Sequence, residues 1–216
     1  MEEKQVKSKQ RVTDHGEVFT AQREVNAMCD LVKQETERID SRFLEPACGN
    51  GNFLAEILRR KLAVVGKRYG KSTHDYEIYS VIAMTSLYGV DIMEDNVEEC
   101  RERLFDIWNQ EYTAHVKAEA NDQCREAVRF ILYKNILCGD ALTMLQADGS
   151  PIIFAEWSLV TGGMIKRRDF ALDGLLNAQE SEEIDIFSEK HEGKGYIPEP
   201  IREYPLTDYR RVQDYE

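Results

Sequence analysis

Phe43-Leu-Glu-Pro-Ala-Cys-Gly-Asn-Gly-Asn-Phe-Leu54 is the stretch that decides the fold. A short apolar run ends in an acid, passes through a Gly-x-Gly turn at Gly49 and Gly51, and opens into a helical pattern with Phe53, Leu54, Ile57 and Leu58 on one face. Strand, glycine turn and helix in that order place bare backbone at the carboxyl edge of a sheet, where open α/β folds bind their ligands. Glycine permits positive φ there and removes the Cβ that would hold a ligand away. A dinucleotide fingerprint needs a third glycine at position 54, which is Leu, and no G-x-x-x-x-G-K-[ST] follows. A pyrophosphate resting on this turn is therefore not expected.

Working outward, the periodicity predicts a helix over about Gln22–Ile39, with Val25, Met28, Leu31 and Val32 buried and Thr20 or Thr13 as its cap. Further helices are expected over Gly51–Leu62, Ile78–Leu87, Glu94–Ala118 and Asp122–Tyr133, and strands over Tyr88–Ile92, Asn135–Cys138 and Pro151–Trp157. Strands alternating with helices imply an α/β fold with a doubly wound, mostly parallel sheet. Two strand ends carry an acid: Asp91 in Tyr88-Gly-Val-Asp91-Ile92, and Asp140 in Cys138-Gly-Asp140-Ala141. A carboxylate so placed can accept ribose hydroxyls or an exocyclic amine. Asp91 lies 46 residues beyond Glu45, against a usual interval of about 20, so Ala63–Ile78 reads as an insertion.

The chain of 216 residues has 28 Lys and Arg against 40 Asp and Glu, a net charge of −12. Residues 170–216 carry 12 acids and five bases, a net of −7, which leaves −5 for the other 169. With Pro198, Pro200 and Pro205, this segment reads as an acidic, partly extended arm after a domain spanning 1–169; its part from Ile197 to Tyr209 has the apolar residues to strap onto a surface. Basic side chains cluster at Leu58–Lys71 and Met164–Phe170, as solvated faces or as contacts to phosphate. The acidic balance argues against unaided binding of a long nucleic acid. Five cysteines without CxxC spacing predict neither a disulfide framework nor a zinc site, and the absence of a leader-like or membrane-length apolar run predicts a cytoplasmic protein.

Glu45 to Phe53 resembles the S-adenosylmethionine-binding signature of the N6-adenine DNA methyltransferases, particularly the modification subunits of restriction systems. Gly16-Glu-Val-Phe-Thr20 is similar to that family's N-terminal G-x-x-F-T-P motif, with Ala21 in place of the proline. The resemblance implies a Rossmann-like class I methyltransferase fold. It also implies a cofactor site built from Phe19, Thr20, Glu45, Pro46, Ala47, Cys48, Gly49, Gly51, Asn52, Phe53, Asp91, Ile92, Asp140 and Ala141. Asp91 would take the ribose hydroxyls and Asp140 would lie near the adenine amine.

The family's catalytic [D/N/S]-P-P-[Y/F] tetrapeptide has no counterpart, since the chain contains no Pro-Pro dipeptide. In its expected place stands Phe154-Ala-Glu-Trp-Ser158, where Glu156 and Trp157 are either weak catalytic candidates or a buried structural pair. Two functions follow from the resemblance. One is an adenine-specific DNA methyltransferase relative that meets DNA only in a complex with a specificity or endonuclease subunit, with no membrane contact. The other is a non-catalytic S-adenosylmethionine-binding or interaction protein. A small-molecule methyltransferase using the Glu156–Trp157 region is a third alternative.

Overall fold

A computed structural model of the chain describes residues 7–15, 18–174 and 199–216. Gly16, Glu17 and Ile197, and most of the expected acidic arm, lie outside the described residues. In chain order the first elements are helices α1 (Lys9–His15), α2 (Gln22–Leu31) and α3 (Lys33–Thr36), strand β1 (Phe43–Glu45), helices α4 (Asn52–Tyr69) and α5 (Thr73–Thr85), and strand β2 (Leu87–Asp91). There follow α6 (Glu94–Val116), α7 (Asp122–Asn135), β3 (Ile136–Cys138), β4 (Ile153–Leu159), β5 (Met164–Ala171), β6 (Arg202–Glu203) and β7 (Thr207–Asp208).

The protein is mixed α/β. β1, β2 and β3 form a three-stranded parallel sheet with β2 in the middle, in register Phe43 with Leu87 and Asp91 with Cys138. Every residue of β2 is buried, as a central parallel strand requires. Each crossover between parallel strands carries two helices, so the expected insertion at Ala63–Ile78 is the end of α4 and the start of α5. Ser72 caps α5, its Oγ accepting from Asp75 N at 3.2 Å.

The two faces of β2 meet different partners. Leu87 belongs to the main core, and Gly89 lets helix α4 close on the sheet: a Cβ there would stand 3.0 Å from Cys48 Sγ and 3.1 Å from Leu54 Cδ1. Tyr88 and Val90 face the other way, into a smaller cluster with Ile152, Phe154 and Leu172. Tyr88 also donates its hydroxyl to Ala155 O at 3.0 Å. Asn135, at the α7–β3 junction, ties the layers: its Nδ2 donates to Thr85 O and Leu87 O, and its Oδ1 accepts from Trp157 Nε1 at 2.9 Å.

The structure departs from the sequence expectations in three places. The expected fourth strand exists as β4, but it lies outside the parallel sheet and pairs antiparallel with β5 along its whole length. Gly162 and Gly163, both at positive φ, turn the chain back at once, with Val160 N donating to Met164 O at 2.8 Å. Local hairpin closure then satisfies the strand that would otherwise have sought the sheet. The expected Gln22–Ile39 helix breaks at Val32, and its inner face is Val25 and Cys29, while Met28, Leu31 and Val32 are exposed; neither Thr20 nor Thr13 caps it, Ala21 being the N-cap.

The third departure is at the C-terminus. The expected boundary at 169–170 falls inside β5, and β6 and β7 both pair with that strand. Tyr209 and Val212 join the main core. Buried Glu77 of α5 accepts from Tyr209 Oη at 2.6 Å, from Tyr112 Oη and from Arg210 Nε, which fastens the segment. Of the strap expected over Ile197–Tyr209, the described part lies against the protein in this way, and the contact continues past it to Val212.

Candidate binding clefts

The carboxyl ends of β1, β2 and β3 meet around a cleft of about 690 Å3. Its geometry starts at the glycine turn. Gly49 (φ +51°) and Gly51 (φ +83°) both sit in the left-handed region, and Gly51 N donates to Cys48 O at 2.8 Å. The two glycines do different work. Gly49 lines the cleft, and a Cβ on it would stand 3.0 Å from the Phe19 ring. Gly51 does not line it; a Cβ there would stand 2.6 Å from Cys100 Sγ, so this glycine serves the packing of the turn on α6. Asn52 joins the segment around Thr20 to the turn, its Nδ2 donating to Thr20 O at 3.2 Å while its Oδ1 accepts from Arg103.

Asp91 holds the turn from the next strand. Its Oδ2 accepts from Gly49 N at 2.9 Å, and its Oδ1 accepts from Met93 N at 2.9 Å and Asn96 Nδ2 at 3.1 Å. A carboxylate has about four acceptor positions, so Oδ2 keeps one that no described donor takes, and Asp91 lines the cleft. Asp140 uses Oδ1 for an Asx-turn to Leu142 N at 2.8 Å and keeps Oδ2. Glu45 is partly buried at the end of β1; desolvation raises its pKa, with the Ala47 N–H opposing that shift. Cys48 is buried, with its thiol pushed up by the adjacent Cys100 and by burial, which suits a small turn residue and not a reactive thiolate.

Phe19, Thr20, Glu45, Pro46, Ala47, Cys48, Gly49, Asn52, Phe53, Asp91, Ile92, Asp140 and Ala141 all line this one cleft. Of the expected cofactor residues only Gly51 stands behind the wall. Val18, Met28, Asn50, Met93, Asn96 and Leu142 also line it and were not anticipated. Met28 is hidden from sequence reasoning because its helical spacing marks it as core. Asn96 is signalled only by its place one turn after a strand-end acid. Among the described lining residues there are three carboxylates and no Lys, Arg or His. The cleft therefore presents uncompensated negative charge beside apolar walls, a setting for a ligand with cationic groups.

Glu156 and Trp157 lie elsewhere. Glu156 ion-pairs with Arg42 and with Arg168, both at 2.6 Å. Trp157 is buried, bonded to Asn135 and edge-on to Phe130. Neither lines the acidic cleft, so the catalytic expectation for this pair finds no support and the structural one describes them. Their β4 position on the hairpin, outside the parallel sheet, is the reason. Among the described residues no group of three His, Cys, Asp or Glu side chains could hold a metal, and no helix is long and apolar enough to cross a membrane.

A second cleft, of about 710 Å3, opens at the amino ends of β1 and β2, opposite the first. Arg38, Arg42 and Arg68 line it against one carboxylate, Asp40, together with Tyr69, Tyr79, Ser86 and Trp157. Tyr69 and Tyr79 stack with ring centroids 3.7 Å apart. Below its floor the buried ammonium of Lys61 donates to Ser86 Oγ, Ile39 O and Ser41 O, with no carboxylate in contact. Desolvation lowers the Lys61 pKa to about 7.

Comparison of the chain with protein-family models, with curated proteins and with solved structures found no match in any of the three.

Proposed function

We propose that the acidic cleft binds S-adenosylmethionine and that the chain is a relative of the N6-adenine DNA methyltransferases with a Rossmann-like fold, acting with a partner. The observation that carries this reading is the lining itself: three carboxylates at or just beyond strand ends, a glycine turn and apolar walls, without a Lys, Arg or His among the described lining residues. Phosphate-bearing cofactors favour positive charge beside their donors; the described lining has side-chain amides and the first turn of α4 but no Lys, Arg or His, and three carboxylates that repel an anion. S-adenosylmethionine brings a sulfonium and an ammonium group, a ribose and an adenine, and supplies an electrophilic methyl. Glu45 suits the cationic amino-acid end. The remaining acceptor of Asp91 suits a ribose hydroxyl, Asp140 Oδ2 suits the adenine amine, and Ile92 and Phe53 offer apolar surface to the ring.

The partner belongs to the reading for two reasons. The net charge of −12 opposes unaided DNA binding, and the chain has no Pro-Pro tetrapeptide to hold a flipped adenine. A specificity or endonuclease subunit of a restriction system is the expected companion. A second reading, a non-catalytic S-adenosylmethionine binder, is favoured by the position of Glu156 and Trp157 away from the cleft. The two are separated by incubating labelled cofactor and mixed-sequence DNA with the chain alone and with its co-purifying proteins. Incorporation only in the complex supports the first reading, and none in either supports the second. The cofactor claim is tested by thermal shift: S-adenosylmethionine should raise the melting temperature, and ATP at the same concentration should not. Equal shifts, or no shift with S-adenosylmethionine, would refute it.

A further inference from the structure

The basic run Leu58–Lys71 is not absorbed by the acidic cleft, and the structure separates it from the second basic cluster. All three cations of Met164–Phe170 are neutralised: Lys166 by Glu203, buried Arg167 by Asp169 and Arg168 by Glu156. In the first run, Arg60 pairs with Asp30 and Glu56, and Arg59 approaches Glu56 at 3.9 Å. Arg68 forms no ion pair with any described residue, and it lines the second cleft beside the stacked tyrosines.

We propose that this second cleft is a binding site for a free nucleoside phosphate, independent of the acidic cleft. Guanidinium groups supply forked donors for phosphate oxygens, and Arg38, Arg42 and Arg68 converge from the loop before β1 and the last turn of α4; Arg38 pairs with Glu35 and Asp40 and Arg42 with Glu156, which leaves Arg68 to meet the phosphate. The Tyr69–Tyr79 stack offers an aromatic face of the kind on which a base lies. The buried ammonium of Lys61 adds positive charge under Ser86, and its surroundings are two carbonyls, a hydroxyl, the Phe43 ring at 5.1 Å and, farther off, Asp40, Arg38 and Glu35. Among the described residues Arg68 is the guanidinium of this lining without an ion pair, so the anionic group of the occupant is expected against it. A long nucleic-acid strand fits less well, because beyond the cleft the chain's net charge of −12 repels a polyanion.

The test is equilibrium binding of a ribose-labelled fluorescent ADP to the full chain, followed by anisotropy. Saturable binding is expected, displaced by unlabelled ADP and unaffected by excess S-adenosylmethionine. Arg68→Ala should weaken it at least about tenfold while the melting temperature changes little, because among the described residues that exposed guanidinium makes no ion pair or hydrogen bond. Tyr79→Leu should weaken it several-fold. No saturable binding, or binding untouched by Arg68→Ala, overturns the proposal. Displacement by S-adenosylmethionine overturns it in favour of the acidic cleft. Equal displacement by inorganic pyrophosphate overturns the base contact, and tighter binding of an oligonucleotide of about 12 deoxythymidines overturns the free nucleotide in favour of a strand.

Discussion

The two ends of the parallel sheet are lined by charged side chains of opposite sign, with Arg38 and Arg42 at the amino end paired to Glu35, Asp40 and Glu156. At the carboxyl end, three acids and a glycine turn line about 690 Å3, with no cation among the described lining residues. At the amino end, three arginines and one aspartate line about 710 Å3 over a buried lysine. The difference teaches where selectivity lies in this molecule. Volume is nearly equal, so if both proposals hold, the charge of the lining and not its size separates the two ligand classes.

Variants that alter one end alone should break this symmetry, and the largest effect is expected at Gly49. Gly49→Val forces a β-branched residue to φ +51° with its Cβ against the Phe19 ring, so the S-adenosylmethionine thermal shift should vanish while labelled ADP binds as in wild type. Loss of both ligands would mean that the clefts are not independent. Glu45→Gln preserves shape and removes one charge from the acidic end. It should weaken S-adenosylmethionine by about tenfold in calorimetry, as expected for losing one charge-assisted contact. An unchanged affinity would take Glu45 out of the site.

Asp91 needs a gentler variant, because it holds the turn as well as facing the cleft. Asp91→Ala would free Gly49 N and Met93 N and confound binding with folding. Asp91→Asn keeps an acceptor for one of them and should cost about 1–3 kcal/mol of stability in chemical denaturation, alongside a several-fold loss of affinity. A stability equal to wild type would show that the turn does not depend on this carboxylate.

The last prediction concerns Lys61. Its pKa is lowered from 10.5 to about 7, so the unfolded chain binds this proton more tightly and the folded state carries a penalty below about pH 7. The penalty is relieved as pH rises from about 7 toward 10.5. Wild type should therefore gain stability relative to Lys61→Met between pH 7 and 9, the difference cancelling the contributions of cysteines and tyrosines that both proteins share. A pH-independent difference would show that Lys61 stays charged, with the cleft holding a compensating anion.

Much of the carboxyl end was legible in the sequence. The glycine turn and the acids Asp91 and Asp140 follow short apolar runs, and strand-end punctuation of that kind survives without tertiary context. The amino end was not legible. Arg38, Arg42, Arg68 and the two tyrosines come from unrelated segments, and only packing brings them to one cleft. β5 was hidden for a physical reason: its inward positions include the Arg167–Asp169 ion pair, which breaks the apolar alternation that marks a strand. The C-terminal strap was legible as a possibility, but its composition concealed that it supplies strands and core side chains. Acids and prolines surround Tyr204, Tyr209 and Val212, the buried side chains that anchor it.

The central claim is that the carboxyl end of the sheet selects a cationic ligand, and isothermal titration of the full chain with S-adenosylmethionine tests it most directly. The account predicts one saturable site with a dissociation constant on the order of 1–100 μM, lost in Gly49→Val and unaffected in Arg68→Ala. Absence of binding at about 1 mM, or binding that survives Gly49→Val and fails in Arg68→Ala, would contradict it.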